Sequence, residues 1–187
     1  MLRDILKECK DQTPYSDSCT VYEFDLATSL LFNNIDAKEA LRTYSSLAKR
    51  GHSQAMVAAG VMLTGGLGID RDEALGMRYL DDAVRAGDPQ GLYEIGTLLY
   101  TGDILEENES AAFEYFERAA SQGHTCAEFM VADCLLEGSG VNRDGARAIP
   151  LLYKAAEKGH RSARRRLLNI IQGNWVASDG WCPNTNS

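Results

Sequence analysis

The chain has 187 residues, a formal net charge of −8 and five cysteines. That length suits one domain, the negative charge disfavours nucleic-acid phosphates as a partner, and no stretch reaches the roughly 18 apolar residues of a membrane span. The start, Met1 to Leu6, lacks the apolar run of a secretory signal, and an odd cysteine count without a C-x-x-C pair points to reduced thiols, so an intracellular, cytoplasmic protein is expected, with nuclear and organellar locations left open.

Residues 1–19 read as an N-terminal extension, followed by predicted helices over 20–32 and 36–50. From there Gly51, Gly87, Gly123 and Gly159 recur every 36 residues, and the segments between them align without insertion or deletion. A period of this size means stacked modules. Each module holds two helices, predicted over 53–65 and 72–86, then 89–101 and 108–122, then 125–137 and 144–158, with a lone first helix over 161–172. In the first helices Ala55, Ala59, Met62 and Leu63 return as Gly91, Ile95, Leu98 and Leu99, then as Ala127, Val131, Cys134 and Leu135, one apolar stripe at helical spacing. The second helices carry a facing stripe, Leu80, Ala83 and Val84, then Phe116, Ala119 and Ala120, then Leu152, Ala155 and Ala156. Gly60 and Gly96 sit mid-helix at a cost of about 1 kcal/mol each relative to Ala, which close helix contact would justify, and Ala132 is their counterpart.

The punctuation follows the same period. Gly66, Gly102 and Gly138, with Gly68 and Gly140, mark the reversal inside each module. Asp72, Asn108 and Asp144 suit the start of each second helix by accepting orphan N–H groups. All three histidines, His52, His124 and His160, occupy the position that leads into a first helix, where Asp88-Pro89 stands in the remaining copy, so a capping or turn role is expected of them rather than catalysis.

These residues carry a resemblance to the Sel1-like repeat (SLR) family, a relative of the tetratricopeptide repeats. Its signature is visible in GLYEIGTLLYTG at 91–102, LEGSGVNRDGARA at 136–148 and YKAAEKGH at 153–160. Leu105, Glu106 and Glu107 depart from the usual loop end, and Pro150 falls early in a second helix. The resemblance implies an all-α fold, an α/α superhelical solenoid of about four helix-turn-helix repeats (near 20–51, 52–87, 88–123 and 124–159) with a capping helix at 160–172 and a tail at 173–187. It also implies a protein-interaction scaffold or adaptor in the assembly or regulation of a multiprotein complex. The alternatives are a permanent architectural subunit and a non-catalytic regulatory subunit of an enzyme.

No catalytic, cofactor or metal site is expected. Cys126 and Cys134 lie eight residues apart on one helix, about 12 Å of rise, too far to share one tetrahedral ion with His124, and both read as small core residues. Charge is uneven. Between Asp88 and Asn142 there are eleven acids and one base, Arg118, whereas between Arg143 and Arg166 there are eight bases and two acids. A solvated outer face accounts for this, and so does a surface that selects basic or extended segments of other proteins. By the register of related repeats, the first helices line a groove with Tyr93, Glu94, Thr97, Tyr100, Thr101, Phe129, Met130, Asp133, Glu137, Arg165, Arg166 and Asn169. Glu94, Asp133 and Glu137 are expected to be open to a partner there, because burying unpaired carboxylates is costly. Trp175 and Trp181, in the tail, are expected to cap the exposed end of the last helix or to contact a partner.

Overall fold

The computed structural model describes residues 17–33 and 35–173. Nine helices account for the regular structure of those residues: α1 Asp17–Phe32, α2 Ala37–Lys49, α3 Ser53–Gly65, α4 Glu73–Arg85, α5 Pro89–Thr101, α6 Glu109–Ser121, α7 Thr125–Glu137, α8 Gly145–Glu157 and α9 Arg161–Ile171. The expected helices are all present, α1 beginning three residues early. The fold is all-α, and within each of its two compact units every helix packs chiefly on its chain neighbours.

Two kinds of N-cap alternate along the chain. Every second helix opens on an Asx side chain: Asp36, Asp72, Asn108 and Asp144 accept from the backbone N–H three residues on, each at 3.0 Å. Three first helices open on a histidine, whose Nδ1 accepts from Ala55, Ala127 or Ala163 at 3.1 Å. Both arrangements satisfy one of the N–H groups that a helix start leaves without an intrahelical partner. α8 continues unbroken through Pro150.

The described residues fall into two compact units that divide between Asp88 and Pro89. In the first, α1–α4, the core is Ala27, Leu30, Ala40, Tyr44, Leu47, Ala55, Ala59 and Met62. The Tyr44 hydroxyl, buried with its ring, hydrogen-bonds Thr28 at 2.9 Å. Leu80 of α4 lies where a Cβ on Gly60 would stand, 2.8 Å away, so the small residue permits the α3–α4 contact.

In the second unit, α5–α9, the same device joins α5 to α6: a Cβ on Gly96 would come within 2.8 Å of the Phe116 ring. Phe116, Leu152, Ala119 and Ala155 are fully buried, as the facing stripe requires. The loop glycine Gly140 does more than reverse the chain. Its N–H donates to Glu109 at 3.1 Å and its carbonyl accepts from the Ser110 hydroxyl at 2.9 Å, which ties the third loop to the start of α6.

Candidate functional site

The expected groove residues fall on α5, α7 and α9 of the second unit. These three helices are joined by contacts that repeat at the module period. Tyr93 of α5 lies against the His124 ring at the start of α7, with centroids 4.8 Å apart, and Phe129 of α7 stacks on His160 at the start of α9 at 4.7 Å. The Gln90 carboxamide oxygen meets His124 Nε2 at 2.6 Å. Because Nδ1 already accepts the capping bond, Nε2 carries the proton and donates.

This seam takes Tyr93, Phe129 and Met130 into the interior. Burial pushes the Tyr93 hydroxyl up to about 12, with the neighbouring Glu94 charge acting in the same direction. Glu94 is half-buried. Its carboxyl is raised by desolvation, opposed by the Gln90 amide, which donates to it at 2.6 Å. Thr97, Tyr100 and Asn169 are half-buried, while Thr101 and Arg165 are exposed. The Thr97 and Thr101 hydroxyls each donate to the carbonyl four residues back at 3.0 Å.

Asp133 and Glu137 differ from the sequence expectation in an instructive way. Asp133 is 2 % exposed, and the reason is Arg166, itself 5 % exposed, whose Nε lies 3.3 Å from Asp133 Oδ1. The same guanidinium donates to Glu137. The burial cost that argued for an open carboxylate is met inside the chain by a cation one module later. Glu128 repeats the pattern. It is 1 % exposed and is held by Lys154 at 2.7 Å and Lys158 at 2.8 Å. Nearer the surface, Glu117 pairs with Arg147 at 2.7 Å. The acidic middle and basic end of the sequence therefore interlock across successive modules, and four acids of the acidic stretch are occupied internally.

Three segments, 53–88, 89–124 and 127–160, match the Sel1 repeat model and together cover more than half of the chain. The chain belongs to the Sel1 repeat family. Two solved structures share its fold. A Sel1 repeat protein from Oxalobacter formigenes is 22% identical with a TM-score of 0.75, over 86% of this chain and 66% of that one. The protective antigen c5321 of uropathogenic Escherichia coli, which displays an SLR fold, is 20% identical with a TM-score of 0.52, over 95% of this chain and 46% of that one. This Sel1 repeat chain thus spans less than two thirds of either structure's length. No curated protein matches it in sequence.

Among the described residues of these Sel1 repeats, no three His, Cys, Asp or Glu side chains are placed to share a metal ion, and no helix is long and apolar enough to cross a membrane. Among the described residues the thiols depart from expectation at Cys126. Cys134 is free and buried, and desolvation, with Asp133 and Glu109 nearby, pushes it up to about 12. Cys126, expected as a reduced core thiol, is instead disulfide-bonded. One cysteine of a sequence cannot announce such a bond, because connectivity does not follow from spacing alone. Trp175 and Trp181 lie outside the described residues.

The His160 cap predicts a pH response. Desolvation holds His160 below its ordinary value, and the ring must stay neutral for Nδ1 to accept from Ala163. A depressed folded value means that the stability is fully present above the unfolded value, near 6.5. It is lost as pH falls through the lower folded value. Thermal melts between pH 7.5 and 5 should show this loss, on the order of 1 kcal/mol for one cap. His160→Asn, which caps without titrating, should flatten the acid limb of the profile.

Proposed function

We propose that this chain is a non-catalytic protein-binding scaffold that holds a partner segment along α5, α7 and α9, in the assembly or regulation of a multiprotein complex. The observation that supports this reading is a polar row that the core does not use. Thr97, Thr101, Glu137, Arg165 and Asn169 stay at least partly accessible, whereas the apolar stripe of α5 and α7 is buried at Ile95, Val131, Cys134 and Leu135. In the first unit the positions one module before Thr97 and Thr101 are Val61 and Gly65, so the polar row belongs to the second unit. Membership of a repeat family used for protein interaction supports the same class of function, by analogy.

The partner chemistry that fits is an extended segment with hydroxyl and amide side chains, because the row presents Thr97, Thr101 and Asn169 while the Glu137 carboxylate is already held by Arg166. Affinity capture from the native source tests the reading. Thr101→Lys with Asn169→Lys should reduce capture at least tenfold, while the melt changes by less than about 0.5 kcal/mol, the usual scale for surface substitutions. A control on a second helix, Glu114→Lys, should leave capture unchanged. Capture that survives the double substitution, or falls equally with the control, would remove this face from the mechanism.

A further inference from the structure

The last described helix ends the repeat pattern with a change of residue that the other modules explain. Gly60, Gly96, Ala132 and Leu168 occupy the same position at 36-residue steps. In the first two modules that position lies under a second helix so closely that a Cβ would meet Leu80 or Phe116 at 2.8 Å. Leu168 has the opposite character, a large side chain that is 51% exposed. Three residues on, Ile171 keeps the apolar type of Leu63, Leu99 and Leu135, yet it is 70% exposed where Leu63 and Leu135 are buried. This end of α9 is therefore apolar and built for burial, but it cannot receive another repeat helix at the usual spacing, because the Leu168 side chain fills the place such a helix would take.

We infer that the chain's own residues 174–187 dock on this face, with Trp175 seated over Leu168 and Ile171. Four observations favour that occupant. Gly173, at φ +70, turns the backbone directly after α9. Trp175 follows Ile171 by four residues, so the encounter is intramolecular and proceeds at a high effective concentration. Both tryptophans of the chain lie in this segment, and a flat ring can cover a surface on which a whole helix does not fit. Arg161 and Arg164 are exposed on the same helix, and Asp179 gives the segment a charge opposite to theirs.

Because residues 174–187 hold every tryptophan, indole fluorescence of the full chain reports on them alone. The expected result is a blue-shifted emission and an iodide quenching constant several-fold below that of N-acetyltryptophanamide, with neither value changing on dilution and the molar mass remaining that of one chain by light scattering. Leu168→Asp with Ile171→Asp should raise quenching severalfold at unchanged helical circular dichroism. Should that pair of changes cost helix, Leu168→Ala alone should still raise it measurably. Indoles quenched like the free amide in the intact chain would overturn the inference. So would protection that vanishes on dilution, which marks a second copy, or protection indifferent to Leu168.

Discussion

Replacing Arg166 by alanine is expected to lower stability by about 3–5 kcal/mol, the scale on which losing one member of a buried ion pair leaves an uncompensated charge. Arg166 and Asp133 are 5 % and 3 % exposed at the side chain, so solvent does little to screen them. For a chain of this length that is a fall of Tm on the order of 10 °C. Asp133→Lys should be at least as damaging, because it sets a second cation against Arg166. The decisive measurement is a double-mutant cycle in urea. Arg166→Met with Asp133→Leu should recover most of the loss of either single change, since apolar replacements of a buried pair are often neutral. Glu137, at 23% side-chain exposure, can then be solvated. Strict additivity of the two substitutions would show that they do not act through each other.

Gly140→Ala is the second large effect. A Cβ there would stand 2.2 Å from the Glu109 carbonyl oxygen and 2.7 Å from the Ser110 nitrogen, both backbone atoms that cannot rotate aside. The residue also sits at φ +68, a region that costs an L-residue roughly 1–2 kcal/mol. Displacing the loop forfeits its two hydrogen bonds to α6, worth about 1 kcal/mol each. A total near 3 kcal/mol is expected from urea unfolding. Gly145→Ala is the internal contrast. It lies in the first turn of α8 with nothing within 4 Å of its Cβ direction, so a gain of about 0.4–1 kcal/mol is expected from reduced unfolded-state freedom. Equal effects at the two glycines would mean that the close approach at Gly140 is not what the residue is for.

The repeat, the helices and their caps were legible because each depends on residues within one turn of each other or on a fixed period. His124 before Ala127, and Asn108 before Ala111, can be read from three adjacent positions. The mid-helix glycines were legible as close contacts because their cost demands a reason. Asp133 was not legible as a buried residue. Its partner is in the next module, and the rule that carboxylates avoid the interior holds only until a cation is found for them. Glu128 was missed for the same reason: Lys154 and Lys158 approach it only once α8 folds back across α7. Gly140 was read as a turn residue, and its sequence neighbours give no sign of Glu109. The register of the first helices, which repeats every 36 residues, placed Thr97, Thr101 and Asn169 off the buried stripe, and their accessibility agrees with that placement alone.

The seams between modules are partly interchangeable, and this bears on how such a gene can change length. An in-frame loss of residues 125–160 would bring His124 directly before Arg161, where it could cap α9 as His160 does and keep its own stacking on Tyr93. Backbone grammar would survive the deletion. Charge would not, because Thr97 and Thr101 would replace Asp133 and Glu137 opposite Arg166, leaving a guanidinium facing two hydroxyls. The caps of this array are thus interchangeable between modules, whereas the order of its last modules also depends on Arg166 finding its carboxylates.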